Sequence, residues 1–203
     1  MGKGEKEKKD LYIEGVQNNG IINHYEYIIN SEGTIEIRHV LKPEGKMPLW
    51  FPRIGLTLTV SDALDQVKWY GRGPQENYPD RKTGYPTGIY ASTVQAMYEP
   101  YLMPQDYGLR TDVRWLQLTT DKGIGLQFKM NEWFNFNIYP YSTDNLTKAM
   151  YTYQLQKQKG MTLNLDYATT GVGCTARGVF GAYKAMPQEY RLSLIHISEP
   201  TRP

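Results

Sequence analysis

Runs in which apolar residues fall at every second position recur along this chain, and they restrict its fold more than any other feature. In Thr34–Leu41, Ile35, Ile37, His39 and Leu41 share one face while Glu36 and Arg38 take the other. Ile54, Leu56, Leu58 and Val60 alternate with Gly55, Thr57 and Thr59, and Ile124, Leu126, Phe128 and Met130 with Gly125, Gln127, Lys129 and Asn131. Phe134, Phe136 and Ile138 flank Asn135 and Asn137; Leu163, Leu165 and Tyr167 flank Asn164 and Asp166. A period of two belongs to an extended strand with one face on a core and the other toward water. Ser31-Glu32-Gly33 and Asp121-Lys122-Gly123 are hairpin signals between such runs. A short helix is predicted from Thr143, as its cap, to Met150, with Asp144 near the N-terminus. A last strand is expected over Glu189–Leu194. The pattern predicts an all-β fold, an antiparallel β-sandwich without internal repeats.

Composition agrees. A chain of 203 residues fits one domain or part of a larger one, and 40% hydrophobic residues suffice for a core. The 17 Tyr, 19 Gly and 12 Pro suit short strands with many turns, and also a surface that touches sugar, since a tyrosine ring stacks on C–H bonds while its hydroxyl stays wet. The basic residues behind a net charge of +2 are scattered, so no nucleic-acid partner is expected. No apolar run is long enough for a bilayer span, so no membrane partner is expected either. The single Cys174, between Gly173 and Thr175, excludes an internal disulfide and reads as a small packed residue. His24, His39 and His196 lack metal-ligand spacing, so no metal or cofactor is expected in this chain. His39 reads as a hydrogen-bonded core residue. Met1–Asp10 reads as a charged, flexible lead-in, residues 11–194 as the folded domain, and residues 195–203 as a non-native or disordered tail resembling a translated adaptor.

The most informative stretch is Trp69-Tyr70-Gly71-Arg72-Gly73-Pro74-Gln75-Glu76-Asn77-Tyr78-Pro79-Asp80-Arg81. Gly71 and Gly73 permit positive φ, and Pro74 and Pro79 fix the backbone, so Glu76, Asn77, Tyr78, Asp80 and Arg81 are held on a rigid turn. The residues by themselves suggest a structural loop with an internal arginine–carboxylate bridge. The run also resembles the signature of the C-terminal small-chain domain (domain 5) of glycoside hydrolase family 2 β-galactosidases. Two further stretches match in the same order: Pro100-Tyr101-Leu102-Met103-Pro104-Gln105-Asp106-Tyr107-Gly108-Leu109-Arg110, followed by Val113-Arg114-Trp115-Leu116, and Leu163-Asn164-Leu165-Asp166 with Gly171-Val172-Gly173 beyond it.

That resemblance implies a galactose-mutarotase-like supersandwich, incomplete on its N-terminal side. It implies a domain packed on the catalytic barrel and other domains of an oligomeric β-galactosidase, which hydrolyses terminal β-D-galactosides such as lactose. Both catalytic glutamates and the metal ligands of the family belong to the barrel, so no catalytic residue is expected here and the isolated chain is expected to be inactive. The rim of the galactoside cleft falls to Asp106, where the family often has Glu, with Tyr101 and Tyr107. The position of a sugar-stacking Trp found in some relatives aligns with about Leu194, so that residue has no visible counterpart here. Glu76, Asp80, Glu99, Asp106, Glu132 and Asp166 lie in no nucleophile or acid motif, although a retaining glycosidase needs two carboxyl groups across the scissile bond. Trp69, Trp115 and Trp133 are expected in the core, and Tyr78, Tyr85, Tyr98, Tyr101 and Tyr107 on loops that meet sugar or barrel. Two alternatives stay open: an independent carbohydrate-binding module, and a mutarotase-like aldose epimerase using His24. The compartment stays open between bacterial cytoplasm and periplasm.

Overall fold

A computed structural model of the chain describes residues 5–14, 20–31, 33–173 and 178–195. The alternating runs become ten strands: β1 (Glu5–Glu14), β2 (Gly20–Ile29), β3 (Ile35–Glu44), β4 (Arg53–Val60), β5 (Gln66–Arg72), β6 (Thr87–Thr93), β7 (Arg110–Thr119), β8 (Gly125–Tyr139), β9 (Met161–Thr169) and β10 (Tyr190–Ile195). All their ladders are antiparallel. The sheet runs β1-β2-β3-β10-β8-β7-β5-β6, with β9 and then β4 branching from β8.

Strand β8 is the trunk. One edge pairs with β7, from Gly125 opposite Thr119 to Phe136 opposite Arg110. The other edge serves two partners in turn. Lys129 and Met130 meet β10, and Asn135–Tyr139 meet β9. The two branches close over one core, in which Phe134, Phe136 and Ile138 of β8 meet Leu163 and Leu165 of β9, Trp69 of β5, Leu116 and Leu118 of β7, Ile37 of β3 and Leu194 of β10. Each such side chain contributes about 1.5–3 kcal/mol by leaving water. An all-β antiparallel sandwich results, as the alternation predicted.

Several boundaries differ from the sequence expectation. The charged run read as a flexible lead-in forms β1 from Glu5 onward, paired with β2 from Glu5↔Ile29 to Glu14↔Gly20. Among the described residues it lies at the end of the strand order. The two runs at 124–131 and 134–138 are one strand of 15 residues, with exposed positions Asn131, Glu132 and Trp133 where its second edge changes partner. The helix, α1 (Thr143–Lys148), is capped one residue earlier than expected: Ser142 Oγ accepts from the Asn145 N–H at 3.1 Å. A serine in extended backbone supplies that acceptor as well as Thr143 would. The last strand runs to Ile195, one residue into the stretch read as a tail, and residues 196–203 lie outside the described residues. Gly33 and Gly123 take positive φ as their turns require, while Glu32 and Cys174 lie outside the described residues.

Candidate functional site

The glycine- and proline-rich loop leaves the end of β5, where Trp69 is buried and its indole N–H donates to the Arg72 carbonyl at 3.0 Å. The glycines serve a different purpose from the one expected. Neither Gly71 nor Gly73 has positive φ. A Cβ on Gly71 would stand 2.8 Å from Val113 Cγ2, and one on Gly73 would meet the Tyr90 ring at 2.8 Å and the Trp69 ring at 3.0 Å. They admit neighbours, not an unusual backbone.

Beyond the cis Gly73–Pro74 bond, the polar side chains of the loop reach two neighbouring segments. Glu76 accepts from the Tyr101 hydroxyl, from the Gly108 N–H at 2.7 Å and from the Tyr78 hydroxyl at 3.1 Å. Asn77 is fully buried. Its amide oxygen accepts from the Thr111 hydroxyl at 2.5 Å and the Thr111 N–H at 3.1 Å, and its own N–H donates to the Leu109 carbonyl at 2.8 Å. Asp80 accepts from the N–H groups of Gly173 at 2.6 Å and Val172 at 3.1 Å. Arg81 does not form the expected internal bridge; it donates to the Gly173 carbonyl at 2.9 Å. The loop is thus a hub tying the 100–111 segment and the 171–173 segment to β5. Burial, reinforced by the bond to Glu76, pushes the Tyr101 hydroxyl up to about 12, and burial raises Tyr78 as well.

The expected rim residues separate. Asp106 is at the surface, its side chain 50% exposed. Its Oδ1 accepts from Asn137 Nδ2 at 2.8 Å, and Oδ2 lies 3.6 Å from Arg53 Nη1. Tyr101 is half-buried on the same segment, its hydroxyl engaged by Glu76. Tyr107 is not a rim residue. Its ring is buried against Tyr98 and Tyr139, with centroids at 5.3 and 5.4 Å, because the chain turns inward there to cover the sheet.

What it covers is a polar network that the alternation misassigned to water. Asn137, Asn164 and Asp166 lie on the face of β8 and β9 opposite the apolar core, yet all are buried. Arg53 Nη2 donates to Asp166 Oδ2 at 2.7 Å and to Asn137 Oδ1 at 3.3 Å; Asn164 Nδ2 donates to Asn137 Oδ1 at 2.8 Å and to the Tyr139 hydroxyl at 3.0 Å. Burial works against the Arg53 charge, but Asp166 and Asp106 outweigh it and hold its pKa above the usual value. Asn and Asp are poor strand formers, so their recurrence at 135, 137, 164 and 166 was the available signal for such a network.

Other expected sites fall elsewhere. Leu194 is 1% exposed in the core and cannot face a sugar. Trp69 is in the core as expected and Trp115 is half-buried, but Trp133 is 58% exposed because it falls where β8 changes partner. Tyr85 gives its carbonyl to Arg72 Nη1 at 2.9 Å. His39 is buried, its Nε2 2.9 Å from Asn23 Oδ1 and its ring stacked on Tyr25. Asp166 is buried beneath Arg53, which leaves it no face to present to a ligand. Among the described residues no group of three His, Cys, Asp or Glu side chains could hold a metal.

A braced loop hub seated on an antiparallel sandwich defines an all-β module. The chain belongs to the β-galactosidase small chain family, whose profile matches residues 4–195. It is similar to the β-galactosidase of Priestia megaterium, 38% identical over 147 residues that cover 72% of this chain and 14% of that protein. The β-galactosidase of Vibrio cholerae is 39% identical over 122 residues, 60% of this chain and 11% of that protein. That of Pseudoalteromonas haloplanktis is 34% identical over 148 residues, again 72% and 14%. The chain therefore matches only a small part of the length of these relatives.

Proposed function

We propose that this chain is the accessory C-terminal sandwich of a family 2 β-galactosidase acting on terminal β-D-galactosides such as lactose. In this reading it packs on the catalytic barrel of an oligomeric enzyme, and the loop bearing Tyr101 and Asp106 rims the substrate cleft. The catalytic glutamates belong to the barrel. The observation that carries the reading is the state of Asp106. Its carboxylate is pinned by Asn137 and Arg53 but half exposed, so it is a hydrogen-bond acceptor oriented toward solvent before any hydroxyl arrives. Tyr101, with its hydroxyl engaged by Glu76, would offer its ring.

The test is a chimera in which this segment replaces the matching one in the Priestia megaterium enzyme. The chimera should hydrolyse a chromogenic galactoside, the truncated enzyme and the isolated chain should not, and Asp106→Ala in the chimera should raise KM about tenfold with kcat little changed. Hydrolysis by the isolated chain, or an unchanged KM in the variant, would contradict the proposal.

A further inference from the structure

A cleft of about 640 Å³ lies away from Asp106 and Tyr101. Its walls are the exposed stretch of β8 with Trp133, the end of β9 with Tyr167, and Lys82 beyond the loop hub. A volume in this range suits a small ligand.

Three observations point to the kind of ligand. The first is Trp133. The residue is 58% exposed, and the Arg114 guanidinium lies 4.5 Å from its ring centroid and 4.8 Å from that of Tyr70. A broad aromatic surface beside a cleft suits stacking on the C–H face of a sugar ring. The second is the polar lining. Asn135 Nδ2 donates to Thr169 Oγ1 at 2.9 Å, and Glu132 Oε2 accepts from the Tyr167 hydroxyl at 3.0 Å. These side chains are set by neighbours, and Asn131 stands exposed beside them. Two of the three charged lining residues pair: Lys82 Nζ contacts both oxygens of Asp112 at 2.9 and 3.1 Å, and Arg72 Nε, from outside the cleft, reaches Asp112 at 2.5 Å. Amides and hydroxyl groups beside paired charge favour a neutral ligand with adjacent hydroxyls over an ion. The third is backbone strain. Asp112, in the irregular part of β7, is the one described non-glycine residue at positive φ, 54°, and it lines this cleft. Residues held in such backbone gather where a side chain must be aimed at a ligand.

We propose that the cleft beside Trp133 is a binding subsite for a neutral saccharide, distinct from the Asp106 rim. Indole and amide groups grip one sugar unit, and affinity is weak, in the millimolar range.

Saturation-transfer NMR on the 203-residue chain, with lactose and maltose titrated to about 50 mM, tests this. Saturation of sugar ring protons is expected. It should weaken about tenfold in Trp133→Ala, weaken less in Trp133→Phe, weaken in Asn131→Ala, and persist in Asp106→Ala. Asn131 is exposed, so its variant tests the site without burdening the fold. No saturation with either sugar, unchanged binding in Trp133→Ala and Asn131→Ala, or displacement of the sugar by inorganic phosphate would overturn the proposal. Binding lost in Asp106→Ala would overturn the separateness of the two sites, whereas failure of the chimera above would touch only the rim.

Discussion

Glu76 gathers donors from three positions, two tyrosine hydroxyls and the Gly108 N–H, so one carboxylate braces the segment that carries Asp106. Removing it leaves those donors without their acceptor. Glu76→Ala should lower stability by about 2–4 kcal/mol, and Glu76→Gln by less because one oxygen remains; urea unfolding measures both. A second residue sets the response to acid. With the proton on Nε2 directed at Asn23, the Nδ1 atom of His39 is buried without a partner, and burial lowers the imidazole pKa to about 4. The folded chain therefore favours neutral His39, whereas the unfolded chain protonates near the ordinary value of about 6.5. The resulting stability, at most about 3 kcal/mol, is fully present above the unfolded pKa and is lost as pH falls from there toward 4. Urea midpoints between pH 7.5 and 4.5 should fall more steeply in the parent than in His39→Gln; equal slopes would remove His39 from the account.

Among the elements, strands were legible wherever alternation met a core, as in β3, β4 and the second half of β8. The sequence was misleading where a polar face was buried by something distant. Nothing local to Asn137 or Asn164 reveals that Arg53 and the 104–107 segment will cover them. The same holds for the rim: the motif marked the 100–110 segment, but only packing shows that Tyr107 turns inward while Asp106 stays at the surface. The glycines of the hub were found for the wrong reason, since lack of space is a tertiary property invisible in a single segment. Because β7 presses on β5 at Gly71, Gly71→Ala should cost about 1–3 kcal/mol by overpacking against Val113, read from thermal unfolding. An alanine there that left stability unchanged would show that β7 yields.

At the scale of the molecule, the two branches hang on β8 by unequal seams. Among the described residues the β9 branch shares five residue pairs with β8, Asn135↔Asp166 to Tyr139↔Thr162, and β10 shares two, Leu194↔Met130 and Ile195↔Lys129. Amide hydrogen exchange should therefore be faster across β1, β2 and β3 than across β7, β8 and β9; uniform protection would contradict this. The short seam also governs assembly in time. Within this chain the ribbon β1–β2–β3 is made well before β10, the strand through which it reaches β8. Until β10 is made, the ladder that joins the ribbon to β8 among the described residues cannot form. A strand made late thus decides when three made early find their place.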